Sequence, residues 1–120
     1  MTARPVRELL LLAAFALELW GLLAVGIAGS RIADGPLAWA CAAALVLTFA
    51  LVWGVWSAPR SPRRLSGSAL VGFQLAWFGA AALALAASGS VLHAGLLLAC
   101  AASVTLAIAA LGIDAPAPPA

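Results

Sequence analysis

The run LLLLAAFALELWGLLAVGIAG, residues 9–29, decides the fold of this 120-residue chain. It is apolar except for Glu18, and at 1.5 Å per residue about 20 residues are enough to cross a hydrocarbon core of about 30 Å. The run therefore predicts a transmembrane helix with a carboxyl group near the centre of the bilayer. A charge at that depth costs roughly 2.5–3.5 kcal/mol on insertion scales, which marks Glu18 as a candidate functional residue.

Three further apolar blocks follow the first, so the sequence predicts an all-α membrane protein with four transmembrane helices in a bundle. Hydrophobic residues make up 66% of the chain and charged residues only 8%, against about 25% charged residues in soluble domains. Residues 1–8 are predicted as a cytoplasmic lead, and residues 113–120, rich in proline and alanine, as a disordered tail. The predicted spans are residues 9–29, 37–57, 69–88 and 91–112.

The distribution of arginine predicts the orientation of the spans. If the N-terminus is cytoplasmic, five of the six basic residues lie inside and only Arg31 lies outside. The positive-inside rule then places both termini in the cytoplasm. All the basic residues are arginine, and alanine, glycine and proline are abundant, which suggests a GC-rich bacterial genome and hence the bacterial cytoplasmic (inner) membrane. The arginines are too few and too separated to indicate nucleic-acid binding.

The two halves of the chain suggest an internal repeat. With an offset of 56 residues, Arg7 falls on Arg63 and Glu18 falls on Gln74. An even number of spans separates the halves, so they would form two hairpins in a 2+2 parallel arrangement. Even without a true duplication, Glu18 and Gln74 are expected at similar depth.

The predicted faces of the first and third spans are complementary in size. Gly21, one turn after Glu18, is small and lets a neighbouring helix approach closely. Gln74 is instead followed on its face by the bulky Trp77 and Phe78. The two faces could interlock, with the Gln74 amide bonding the Glu18 carboxyl.

Glu18, Gln74 and Thr48 are therefore predicted to form an intramembrane polar centre. In one hypothesis a protonated Glu18 hydrogen-bonds Gln74 or Thr48 and links the helices. In the other, Glu18 is a proton- or cation-responsive site of the kind found in proton-coupled carriers. A contact with a partner protein is a third use, and the sequence leaves all three open.

The string WGVWSAPRSPRRL, residues 53–65, is the most distinctive polar segment. Tryptophan favours the headgroup region, and each surface arginine contributes about 1 kcal/mol of attraction to an anionic leaflet. The segment is predicted to anchor the cytoplasmic face to anionic phospholipid, and docking of a cytoplasmic partner or ligand is the alternative. The residues assigned to this loop site are Trp53, Trp56, Arg60, Arg63 and Arg64.

This loop carries a resemblance to the YrdB family of small bacterial four-helix membrane proteins. The shared features are FALEL around Glu18, Trp53-Gly54, Ala58-Pro59, Arg63-Arg64-Leu65 and the segment AAALALAASG that closes the third span. The resemblance covers about residues 7–112 and implies a fold and a membrane location but no established activity. The chain departs from the family at GIAGS, where members often have Gly-Tyr-Trp-Gly. It also has Gln74 where members often have an acidic residue, which weakens a mechanism that needs two carboxylates.

Two classes of function follow from these features. The first is a small carrier or channel subunit that uses Glu18. The second is a structural or regulatory membrane protein that packs against a partner through its helix faces and the arginine loop. No nucleophile–base pair, metal cluster or phosphate loop is apparent, so neither an enzyme nor a cofactor is predicted. The expected partners are the lipid bilayer with anionic phospholipid, and a second copy or another membrane protein.

Overall fold

The computed structural model describes residues 4–113, and this part of the chain forms four α-helices. Each helix is long and apolar enough to cross a membrane. The prediction of an all-α fold with four spans is therefore confirmed, and residues 4–113 contain no strand. The helices are α1, Arg4–Ser30; α2, Pro36–Trp56; α3, Gly67–Ala87; and α4, Val91–Ala110.

The largest difference from the predicted spans is at the start of α1. This helix begins at Arg4 and so includes most of the predicted polar lead. The guanidinium of Arg4 and the carboxylate of Glu8 are one helical turn apart and lie 3.1 Å from each other. Polarity ends the membrane span but does not end the helix, because such i,i+4 pairs stabilise helical backbone. The tail predicted to be disordered lies, apart from Ile113, outside the described residues.

Proline and glycine set the turns between the helices. Pro36 is the first residue of α2, where its missing N–H leaves no hydrogen bond unmade. Gly35 before it and Gly89 between α3 and α4 have positive φ angles of 62° and 104°, which side chains rarely adopt. The longer loop between α2 and α3, residues 57–66, contains both Pro59 and Pro62.

Helix α1 packs against all three other helices, whereas α2 and α3 scarcely contact each other. The helices form two hairpins, α1–α2 and α3–α4, which associate mainly through α1. The core lies between α1, α3 and α4, and α2 contributes no buried residue to it. The buried core residues are Leu17, Ala24, Val25, Trp77, Phe78, Ala81, Ala82, Leu85, Ala94, Leu97 and Ala101.

Glycines on α1 allow the closest approaches between helices. A Cβ atom at Gly21 would lie 2.6 Å from Cζ3 of Trp77, so the predicted interlocking of the first and third spans is present. A Cβ atom at Gly29 would lie 2.8 Å from Cα of Ala42 on α2. The first contact is with a side chain, but the second is with backbone and so fixes the distance between α1 and α2.

Candidate functional site

The candidate site is a partly open cavity of about 430 Å³ between the loop end of the bundle and helices α1, α3 and α4. Most of its wall is apolar, but a carboxylate, a guanidinium, an amide and two hydroxyl groups also reach it. Its lining residues are Leu11, Ala14, Phe15, Leu17, Glu18, Trp53, Ser57, Pro59, Arg64, Gln74, Phe78, Val104, Thr105 and Ile108.

Glu18 lies near the middle of α1 and close to the level at which α2 ends. The approaches of Gly29 to Ala42 and of Gly26 to Val46 set the register of the antiparallel pair α1 and α2. In that register Glu18 is level with the last turn of α2, which agrees with its sharing a cavity with Ser57. A position of Glu18 near the bilayer centre stays a prediction.

The loop after α2 folds back toward this cavity. The N–H of Leu65 donates to the carbonyl oxygen of Trp56 at 2.9 Å, which closes the loop on itself. Nε of Arg64 donates to the carbonyl oxygen of Ser57 at 3.0 Å. Since Ser57 is only 2% exposed, this bond holds the arginine at the edge of the cavity.

Arg64 therefore differs from the other two arginines of the loop. Arg60 and Arg63 are exposed, as expected for residues that face a membrane surface, but Arg64 is half-buried and lines the cavity with Glu18. The assignment of Arg64 to the lipid surface is thus corrected. The sequence shows three similar arginines, and only the folding of the loop separates them.

Gln74 lines the same cavity as Glu18, but its amide has a different partner from the one predicted. Its Nε2 donates to Oγ of Ser57 at 3.0 Å and ties α3 to the end of α2. Sequence reasoning missed Ser57, which had no signal beyond its place after an apolar block. Glu18 and Gln74, which were predicted at similar depth, therefore line one cavity together with Ser57.

Thr48 is not part of this polar centre. Its hydroxyl donates to the carbonyl oxygen of Ala44, one turn earlier in α2, at 2.7 Å. The residue is exposed and lines a separate groove between α2 and α3. A hydroxyl satisfied by its own helix can face lipid, so its depth in the span did not predict a contact with Glu18.

The two tryptophans of the loop region also have different roles. Trp53 is half-buried and lines the cavity, whereas both were predicted at the headgroups. Trp56 is exposed, and its ring centroid lies 6.2 Å from that of Phe73 on α3. Only Trp56 has the exposure expected of an interfacial anchor.

The cavity brings the acidic side chain of Glu18 and the basic side chain of Arg64 together with hydrogen-bonding groups. A carboxylate can bind a proton or a cation, and a guanidinium can neutralise the carboxylate or bind an anion. Within residues 4–113, no group of three or more His, Cys, Asp and Glu residues could hold a metal ion.

A family model described as a protein of unknown function, DUF2568, matches residues 12–102. This segment is well over half of the chain. The chain belongs to the DUF2568 family. The segment matched by DUF2568 includes Glu18, Ser57, Arg64 and Gln74, so the polar part of the cavity lies within the family region. The DUF2568 description assigns no activity, and it does not test the resemblance to the YrdB family, which stays a prediction. No curated protein and no solved structure matches the chain.

Proposed function

We propose that the chain is a multi-pass protein of the bacterial cytoplasmic membrane, with both termini cytoplasmic, and that it acts as a small proton- or cation-responsive carrier or channel subunit. One observation supports this role most: a carboxylate within an apolar helix and a guanidinium from a loop line the same partly open cavity. Ionisable residues inside membrane spans commonly mark ion pathways and proton relays. The location and orientation rest on the arginine distribution.

In this proposal Arg64 is the counter-ion of Glu18. The bond from its Nε to Ser57 keeps the guanidinium at the cavity in the absence of any substrate. A proton or a cation that enters the cavity competes with Arg64 for the carboxylate. Ser57 also accepts a hydrogen bond from Gln74 of α3. Movement of Arg64 would therefore shift Ser57, at the end of α2, and with it the bond to α3. The cavity is assigned no catalytic role and no cofactor.

The test is flux into liposomes that contain the purified protein and a pH-sensitive dye. Glu18→Gln keeps the size and the hydrogen-bonding capacity of the side chain but cannot release a proton. We expect this variant to lose flux driven by proton, Na⁺ or K⁺ gradients while its melting temperature stays close to that of the wild type. The matched control is Glu8→Gln, which neutralises an exposed carboxylate on the same helix and should leave flux unchanged.

Two results would contradict the carrier role. One is wild-type flux in Glu18→Gln, since the carboxylate would then be dispensable. The other is the lack of any gradient-driven flux in the wild-type protein, which would favour the second candidate function.

The second candidate is a structural or regulatory protein that packs against a homodimeric or other membrane partner. It is favoured by the exposure of α2, which has no buried residue although the other three helices each have five or six. A photo-crosslinker at Leu47 or Leu51 should then give one discrete adduct in native membranes. An adduct of twice the 12.0 kDa mass would indicate a second copy. The control position is Leu83 on α3, which is equally apolar and 71% exposed.

A further inference from the structure

A second cavity lies in the groove between α2 and α3. These helices scarcely contact each other, and the space between them is about 290 Å³. The buried Trp77 closes the floor, where its Nε1 donates to the carbonyl oxygen of Phe49 at 3.0 Å. The groove is lined by Thr48, Phe49, Val52, Phe73, Ala76, Trp77 and Ala80.

The length and lining of this groove suit a hydrocarbon chain. From Phe73 to Ala80 it runs about 10 Å along the helix axis, at 1.5 Å per residue. Its lining is apolar except for the hydroxyl of Thr48 and the indole N–H of Trp77, and both of these groups donate to backbone carbonyl oxygens. The groove therefore accommodates one extended hydrocarbon chain.

The charge at one end of the groove is positive. The loop that joins α2 and α3, residues 57–66, contains three arginines and no acidic residue. Arg64 is turned toward the cavity of Glu18, which leaves Arg60 and Arg63 as the exposed cations of this loop. Trp56, in contact with Phe73, lies between the loop and the groove at the position of an interfacial anchor.

We propose that this groove is a binding site for one anionic phospholipid. An acyl chain lies between α2 and α3, against Trp77 and the small residues Ala76 and Ala80. The phosphate lies at the membrane surface beside Arg60 and Arg63. This site is independent of the cavity around Glu18, and it needs only that the helices span a membrane.

The site can be tested by native mass spectrometry of the protein released from nanodiscs of equal phosphatidylglycerol and phosphatidylcholine. We expect one retained lipid, preferentially phosphatidylglycerol. The double variant Arg60→Gln, Arg63→Gln should reduce this preference by up to about thirtyfold, since two arginines contribute about 2 kcal/mol at an anionic surface. Ala76→Trp should fill the groove and abolish retention of lipid with either headgroup.

The control is Ala99→Trp, which adds the same bulk at an exposed position of α4 outside the groove. Equal lipid retention in Ala76→Trp and Ala99→Trp would overturn the proposal. So would a retained lipid without headgroup preference in the wild type, because that is the behaviour of annular lipid only. If Ala76→Trp fails to fold, the arginine double variant decides: unchanged preference for phosphatidylglycerol contradicts the site.

Discussion

Ser57 connects three elements of the bundle through one buried residue. Its carbonyl oxygen accepts from Arg64 of the loop, and its hydroxyl accepts from Gln74 of α3, while its own N–H bonds to Trp53 of α2. Hydrogen bonds that involve a charged group contribute more than neutral ones, about 1.5–3 kcal/mol. The polar edge of the cavity is therefore part of what stabilises the loop end of the fold.

This arrangement predicts that the three loop arginines are not equivalent. Arg64→Gln should lower the free energy of unfolding by about 1.5–3 kcal/mol, because it removes the charge-assisted bond to Ser57. Arg63→Gln should change it by less than about 0.5 kcal/mol, as for most exposed positions. Thermal unfolding in one detergent compares the two directly. Equal destabilisation by both variants would show that the loop does not hold Arg64 against the bundle.

Gly29 gives a second prediction at the scale of a single residue. Its missing Cβ would lie 2.8 Å from Cα of Ala42 and 2.9 Å from the carbonyl oxygen of Cys41. Backbone cannot move aside as a flexible side chain can, so Gly29→Ala should destabilise the protein by about 1–3 kcal/mol. Gly54→Ala is the control, since nothing lies within 4 Å of its added methyl group. A neutral Gly29→Ala would mean that α1 and α2 are farther apart than described.

The turns of the two hairpins are joined by one arginine at the end of the bundle opposite the loop site. Nη1 of Arg31 donates to the carbonyl oxygen of Ser88 at 2.7 Å and lies 3.2 Å from Oγ of both Ser88 and Ser90. Arg31→Gln should therefore loosen the two hairpins from each other and cost about 1 kcal/mol at this exposed site. Asp34→Asn, on the same turn, is the control. Hydrogen exchange of the turn at Ser88 should rise in the first variant only.

The number and positions of the helices were predictable, because the length of each apolar block determines whether it can form a membrane-spanning helix. The bounds of α2, α3 and α4 lie within two residues of the predicted spans. The start of α1 was not predictable from hydropathy, since its first turns are polar yet helical. The bond between Arg31 and Ser88 could not be predicted either, because the two residues are 57 positions apart in the chain.

The candidate site was predictable only in part. Glu18 and Gln74 stand out because each is a polar residue in an apolar block. The inward turn of Arg64 accompanies a backbone bond between Leu65 and Trp56, which no local pattern of charge reveals. Thr48 was wrongly grouped with Glu18 because depth in the sequence says nothing about which face of a helix a residue occupies.

The orientation of the whole molecule remains a prediction from five arginines against one. Single cysteines at position 34 or position 62, in a variant with Cys41 and Cys100 replaced by alanine, test it in intact cells. A membrane-impermeant thiol reagent should label position 34 from outside and leave position 62 unlabelled until the cells are opened. External labelling at position 62 would invert the topology.

A partly open cavity, apolar over most of its wall, reaches Glu18 within the bundle. Ala14 lines this cavity, whereas Ala16, two residues later on the same helix, is exposed on another face. The most direct test places a cysteine at each position in the cysteine-free protein in liposomes and measures the rate of modification by a charged thiol reagent. We expect rapid modification at position 14 and none at position 16, where lipid excludes the reagent. Equal protection of both positions would contradict it, because the cavity around Glu18 would then be closed to water and ions.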